Sequence, residues 1–213
     1  MRAALVFAAA SLQPTSRLRA RLAKLQQPYV VAADAGAATA LAFGFVPDVL
    51  IGDFDSLDAA TLERLRTQNV RVETFPTDKD FTDGQLAIER ALREQPTELY
   101  LLGFLGGPRL DQALANVFLL TQVDVPTVLL DERNEARLLR GPATHEWAPE
   151  ASEVVSLIPL TEARGVTTVG LRWTLAADTL RVGETRAVSN EPVAQQARVH
   201  VEDGHLLLTR HFV

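Results

Sequence analysis

The stretch Val46-Pro47-Asp48-Val49-Leu50-Ile51-Gly52-Asp53-Phe54-Asp55-Ser56-Leu57 joins a short apolar run to a glycine and two aspartates one residue apart. The run suits a buried strand, and the aspartates fall where that strand should stop. In extended chain, residues i and i+2 point to the same side, so Asp53 and Asp55 share one spot if the strand geometry persists through Phe54. Two carboxylates ~4 Å apart at an effective dielectric near 20 repel by on the order of 4 kcal/mol, so the pair holds either a proton or a cation. Mg²⁺ accepts one or two carboxylates and completes its octahedron with water and phosphate oxygens. The competing reading makes Asp55 and Ser56 caps of the next helix and Asp53 a solvated turn residue. From these residues both readings stay open.

The same texture repeats on both sides of this stretch. Ala3–Ala10, Tyr29–Ala33, Val70–Phe75, Leu99–Leu102 and Thr127–Leu130 read as further short strands. Between them lie amphipathic helices: one capped by Thr15 or Ser16 with Leu18, Leu22 and Leu25 in register, then about 58–68, 82–94 and 111–120. Such alternation predicts an open parallel sheet flanked by helices, an α/β unit over residues 1–132. From about Arg133 the helical period fades. Strand-like runs follow at Glu153–Leu160, Val166–Leu175, Thr179–Val182, Ala197–Val201 and His205–Phe212, the last two flanking Glu202-Asp203-Gly204 as a hairpin would. Residues 133–213 are therefore expected to form an all-β sandwich.

The 213 residues are 47% hydrophobic and carry a net charge of −6, with no basic run, which argues against nucleic acid or an anionic membrane as partner. An anionic substrate would need a metal or local Lys and Arg. There is no cysteine, so disulfides, thiolate zinc sites and cysteine nucleophiles are excluded. The apolar N-terminal run reads as a first buried strand rather than a signal peptide, and no span of the chain is long enough to cross a membrane. A cytoplasmic protein is expected.

In an open parallel sheet, ligands bind outside the carboxyl ends of the strands. Those ends read Asp34-Ala35-Gly36, then Gly52-Asp53-Phe54-Asp55-Ser56, then Thr77-Asp78-Lys79-Asp80-Phe81-Thr82-Asp83, then Gly103 through Gly106-Gly107-Pro108-Arg109-Leu110-Asp111. Four successive ends thus deliver aspartates, glycines, one lysine and one arginine to a single edge. The chemistry this suits is phosphate transfer with a metal: glycine N–H groups approach a polyphosphate, Lys79 and Arg109 neutralise its oxygens, and carboxylates hold Mg²⁺. The four histidines, at 145, 200, 205 and 211, all lie in the β half without metal-ligand spacing. Any general base at the edge is therefore a carboxylate.

Assembled in this order, the motifs resemble the thiamin pyrophosphokinase (thiamine diphosphokinase) family. The similarity runs through D-A-G-A, P-D-V-L-I-G-D-F-D-S, F-P-T-D-K-D-F-T-D and G-G-P-R-L-D-Q-A-L-A-N, then S-L-I-P-L, G-V-T-T-V-G-L-R-W-T-L, V-S-N-E and D-G-H-L-L-L. It implies an α/β catalytic domain and a β-sandwich thiamine-binding and dimerisation domain. It also implies a homodimer whose thiamine site lies between subunits, with Mg²⁺ and ATP as donor. By position, Asp53, Asp55 and Asp80 would serve the metal and the diphosphoryl group. Asp34, Lys79, Thr82, Asp83, Arg109, Asp111 and Gln112 would surround the nucleotide and the acceptor hydroxyl. Trp173 would wall the thiamine rings, a flat aromatic face for a cationic thiazolium, and Ser189 and Asn190 would hydrogen-bond the pyrimidine. From the strand-like run around it alone, Trp173 reads as a core tryptophan in preference to a ligand wall.

Two departures stand out. The family pattern G-G-R-x-D-H is interrupted here by Pro108, and Gln112 stands at the histidine position. The first strand ends in Ala8-Ala9-Ala10 where the family favours glycine. The reaction implied is diphosphoryl transfer from ATP to thiamine. Rival readings are a related diphosphokinase for a pterin alcohol, a D-x-D glycosyltransferase, and a non-catalytic Mg-nucleotide or thiamine binding protein.

Overall fold

The computed structural model describes residues 2–55 and 57–213. The chain separates into two units, Met1–Glu132 and Arg133–Val213.

The first unit is a parallel sheet wrapped by helices. Strands β1 (Ala4–Phe7), β2 (Tyr29–Ala33), β3 (Val49–Gly52), β4 (Arg71–Thr74), β5 (Leu99–Leu102) and β6 (Thr127–Leu130) lie in the order β4-β3-β2-β1-β5-β6, each neighbouring pair parallel. Strands β1, β2, β3, β5 and β6 are buried along their whole length, which is why they read as unbroken apolar runs. Leu5, Phe7, Val30, Ala32, Leu50, Tyr100, Leu102, Val128 and Leu130 alternate onto one face. There they meet Leu18 and Leu22 of α1 (Ser16–Leu22), Ala37 and Ala40 of α2 (Gly36–Ala42) and Leu65 of α3 (Ala59–Thr67). Helix α4 (Asp83–Leu92) packs across β1, β2 and β3, and α5 (Leu110–Leu119) packs on α4.

The helix starts follow from short polar side chains. Thr15, Asp58 and Thr82 each sit in extended backbone and accept the N–H three residues on, at 3.3, 2.8 and 3.2 Å. Asp58, rather than Asp55, therefore caps α3; Ser56, the other candidate cap, lies outside the described residues. Helix α2 has no side-chain cap and no apolar stripe beyond alanines, so its periodicity is too faint to read.

The second unit is an antiparallel sandwich. One layer is β7 (Asn134–Arg140), β13 (His205–Phe212) and β9 (Glu153–Pro159); the other is β11 (Asp178–Leu180), β10 (Ala163–Val169), β12 (Ala197–Val201) and β8 (Ala143–Trp147). Leu139, Val155, Leu157, Leu206 and Leu208 of the first layer bury against Val166, Val199, Val201 and Leu180 of the second. The fold class is thus mixed α/β followed by an all-β sandwich.

Two expectations fail here. The segments flanking Glu202-Asp203-Gly204 are strands, but they do not form a hairpin: β12 pairs with β10 and β8, while β13 pairs with β7 and β9. The link crosses from one layer to the other, so the alternating apolar residues face each other across the core rather than lying side by side. The run Val166–Leu175 does not persist as a strand either. It stops at Val169 because Gly170 takes φ 76°, where a Cβ would overlap the Gln196 carbonyl. Trp173 therefore lies in irregular chain between β10 and β11, and no core strand contains it.

Candidate active site

The strand order reverses at β1, with β2 on one side and β5 on the other, and the candidate residues follow the carboxyl ends of β2, β3, β4 and β5. Asp34 comes directly after β2 and is only 8% exposed. Its Oδ1 accepts the Phe54 N–H at 3.1 Å, and its own N–H donates to the Ile51 carbonyl at 2.9 Å. Burial pushes its pKa up to about 6, the Phe54 N–H opposes this, and the charges of Asp83, Asp53 and Asp55 add to the rise. Gly52 is required beneath it: at φ 146°, a Cβ there would overlap the Asp34 carboxylate.

The extended geometry expected through Phe54 is broken, since Phe54 takes φ 63°. Asp53 and Asp55 are presented by a turn instead, in which the Asp55 N–H donates to Asp53 Oδ1 at 3.3 Å. The Thr77 hydroxyl, then that N–H, hold Asp53 below the usual carboxylate range. Asp53 is an ionised, hard oxygen donor at neutral pH.

Lys79 ties two strand ends together. Its Nζ lies 3.2 Å from Asp83 Oδ2 and 4.0 Å from Asp53 Oδ2, and donates to the Pro76 carbonyl at 3.1 Å. Asp83 opens α4, and its Oδ1 is buried without a hydrogen-bond donor. Such an acceptor suits a cation or a substrate hydroxyl. Thr82 caps α4 through Oγ1, and Asp80 is exposed in the same loop. Among the described residues, no three His, Asp or Glu side chains form a ready-made cation site. A cation held by Asp53 and its neighbours would draw its remaining ligands from water and phosphate oxygens.

After β5, Asn116 Nδ2 donates to the Phe104 carbonyl at 2.8 Å, fastening the glycine-rich loop to α5. Arg109, just before α5, makes a two-pronged pair with Asp111 at 2.9 and 2.5 Å. That guanidinium holds the Asp111 carboxyl down at about 2. In this arrangement Asp111 anchors Arg109 and is no base. Gln112 is exposed on the first turn of α5.

In the second unit Trp173 is 56% exposed, with the Arg172 guanidinium 5.5 Å from its ring centroid. Arg172 in turn pairs with Glu191 at 2.7 Å. Ser189 is exposed at φ 61°, and its N–H donates to Ser156 Oγ at 3.0 Å. Asn190 is buried, and its side chain bonds the main chain of Trp173. Of the histidines, His200 meets Thr144 at 2.8 Å, His211 meets Asn134 at 2.9 Å, and His145 stacks on Trp147.

Family models match both units: thiamin pyrophosphokinase, catalytic domain, over residues 21–129, and thiamin pyrophosphokinase, vitamin B1 binding domain, over residues 145–206. The chain belongs to the thiamin pyrophosphokinase family. A thiamine pyrophosphokinase of Bacillus subtilis is 27% identical over 184 residues, covering 84% of this chain and 86% of the relative. A solved thiamin pyrophosphokinase from Geobacillus thermodenitrificans superposes with a TM-score of 0.84 at 28% identity, covering 100% and 98% of the two chains. The fold is also that of a solved thiamine pyrophosphokinase from Bacillus subtilis, with a TM-score of 0.88 at 24% identity over the full length of both.

For a thiamin pyrophosphokinase, two residues at this edge lie within the quoted motifs but are given no role of their own there. Thr77 is the hydroxyl donor to Asp53, and Asn116 is the clamp on the glycine-rich loop. Thr77 carries no signal apart from opening T-D-K-D. Asn116 has one: with Gln112 it forms a polar i, i+4 pair on an otherwise largely apolar helix.

Proposed function

We propose that this protein transfers a diphosphoryl group from ATP to the hydroxyl of thiamine, giving thiamine diphosphate and AMP. The observation that carries this reading is the convergence of Asp34, Asp53, Lys79 and Asp83 at one sheet edge, with Asp53 ionised and Asp83 Oδ1 buried without a donor. The thiamine hydroxyl oxygen attacks the β-phosphorus in line. A new O–P bond forms, the bond from that phosphorus to the oxygen of the α-phosphate breaks, and the hydroxyl proton passes to a carboxylate or to solvent.

Asp53 and Asp55, with Asp80 from the next loop, are the residues we assign to Mg²⁺. When bound, that ion supplies neutralising charge to the diphosphoryl oxygens. Lys79 holds the Asp53 and Asp83 loops together and presents positive charge between them, and Arg109, aimed by Asp111, meets the nucleotide phosphates. Asp83, free at Oδ1, orients the acceptor hydroxyl. Thr82 fixes the start of α4, and Asp34 fixes the turn of Asp53 and Asp55. The exposed Trp173 gives the thiamine rings a flat face, and Ser189 is assigned to hydrogen-bond the pyrimidine.

In this reading residues 1–132 are the catalytic domain and residues 133–213 the thiamine-binding domain of a cytoplasmic homodimer whose active site draws on both chains. Support for a partner chain comes from α5, which exposes Leu110, Leu114 and Phe118 one turn apart. Among the described residues no helix is long and apolar enough to cross a membrane.

The test is incubation with ATP, Mg²⁺ and thiamine while products are followed by mass. Thiamine diphosphate and AMP in equal amounts are expected. ADP with thiamine monophosphate, turnover only with a pterin alcohol, or binding without AMP release would each overturn the assignment.

A further inference from the structure

One buried amide satisfies both main-chain groups of the exposed tryptophan. Asn190 Oδ1 accepts the Trp173 N–H at 3.1 Å and the Glu191 N–H at 2.9 Å, while Nδ2 donates to the Trp173 carbonyl at 2.7 Å. Asn190 is itself pinned to β9 by its own main chain, donating to the Val155 carbonyl at 2.7 Å and accepting the Val155 N–H at 2.8 Å. It is 7% exposed. The donors and the carbonyl around it admit only one orientation of the amide. Both lone pairs of Oδ1 are therefore occupied by the chain, as is one of the two Nδ2 hydrogens.

Trp173 lies in irregular chain beyond the end of β10; the Leu171–Pro192 bridge and the Arg172 N–H to the Glu191 carbonyl at 2.8 Å hold the chain just before it, but no ladder takes the N–H and carbonyl of Trp173 itself. The amide of Asn190 takes the part a neighbouring strand would play, offering one acceptor and one donor to the two sides of a single residue. A flat ring can serve as a wall only if its main chain is held. Aspartate at this position would keep the acceptors and set a charge against the Trp173 carbonyl; alanine would leave both Trp173 groups bare.

We propose that Asn190 is a positioning residue for thiamine recognition, acting through the indole of Trp173 rather than by hydrogen bonding the ligand. This rests on the reading of Trp173 as the face for thiamine.

The experiment is a double-mutant cycle on the full-length protein, with thiamine binding measured by calorimetry for the wild type, Asn190→Ala, Trp173→Ala and the double variant. Trp173→Ala is expected to weaken binding by roughly two- to thirtyfold, the range of a cation–ring contact. Asn190→Ala should weaken it by no more than that, and the double variant should match Trp173→Ala alone. Losses that multiply would mean that Asn190 touches thiamine directly and would overturn the proposal, as would an Asn190→Ala protein with wild-type affinity. Unchanged affinity in Trp173→Ala overturns the prior reading of the tryptophan itself, a distinct result.

A second readout needs no ligand. Because Trp147 is buried, acrylamide quenching reports mainly on Trp173, and Asn190→Ala should alter it in the free protein. Unaltered quenching counts against the proposal. Should Asn190→Ala fail to fold, the same cycle run with Asn190→Asp, which retains the acceptors, is expected to give a smaller loss that again vanishes in the Trp173→Ala background.

Discussion

The carboxylate of Asp34 accepts the Phe54 N–H at 3.1 Å, and this bond ties the end of β2 to the turn that carries Asp53 and Asp55. The tie has a pH signature. Folding raises the Asp34 pKa from 3.8 to about 6, chiefly by burial, so between those values the folded state binds more protons than the unfolded one. The stability from this group is fully present below pH 3.8, falls as pH rises to about 6, and is flat above. Asp34→Asn keeps an oxygen acceptor for Phe54 and loses the charge. In metal-free buffer at pH 7 it should be more stable than the wild type by on the order of 1–3 kcal/mol, with the difference gone near pH 4. Urea unfolding across that range checks this; parallel pH profiles for the two proteins would contradict it.

Asp53→Asn and Asp55→Asn should each reduce turnover at least about a hundredfold, since the charge assigned to ligation is worth several kcal/mol. The fold should persist, because an amide at 53 still accepts the Asp55 N–H. Circular dichroism and product mass read the two halves of this expectation, and wild-type turnover in either variant removes that residue from the metal assignment.

Gln112 is exposed on the first turn of α5 and offers only hydrogen bonding. Gln112→His should therefore change the rate modestly and add no ionisation to the pH profile. A large gain with a new apparent pKa of about 6 to 7 would reveal a charge role that the amide does not fill.

The sandwich contains a buried ion pair that should be costly to break. Glu153 accepts from Nε and Nη2 of Arg210, both at 2.8 Å, and from the Trp147 Nε1–H at 2.8 Å, and the guanidinium lies 5.4 and 5.1 Å from the ring centroids of Trp147 and Phe212. Arg210→Leu leaves a buried carboxylate without its cation and should cost about 3–5 kcal/mol. Adding Glu153→Gln should recover part of that loss, because a neutral amide still accepts from Trp147. Denaturant midpoints decide it, and a further drop in the double variant would refute the argument.

If the active site draws on two chains, mixing Trp173→Ala with Asp55→Asn should restore activity at thiamine concentrations too low to fill the Trp173→Ala site, because a heterodimer assembles one intact site from two defective chains. Mass spectrometry of the mixture establishes exchange. Heterodimers that form and remain inactive would show that each chain builds its own site.

Much of this protein was legible from local pattern. Strands β2 and β5 begin and end where their apolar runs do, since a strand buried on both faces has no polar position to blur it. The aspartates and glycines that follow β2, β3, β4 and β5 could be expected at one edge for a related reason: in a parallel sheet, the carboxyl ends of successive strands lie together. Helix α2 was hidden because it packs through alanines, and β7 because its buried Glu135 and half-buried Arg137 are an ion pair rather than apolar residues.

Patterns of period two say which side chains turn inward, but not which strand lies alongside. Val199, Val201, Leu206 and Leu208 were recognisable as core residues, yet whether β12 and β13 would pair or oppose each other depended on the strands arriving from residues 134 to 169. The partners of buried polar groups depended on the same kind of arrival. Asp34 meets Phe54 across 20 residues and Asn190 meets Trp173 across 17. A hydrogen bond between such groups forms only where packing has already brought the two segments together, and no local spacing encodes that approach.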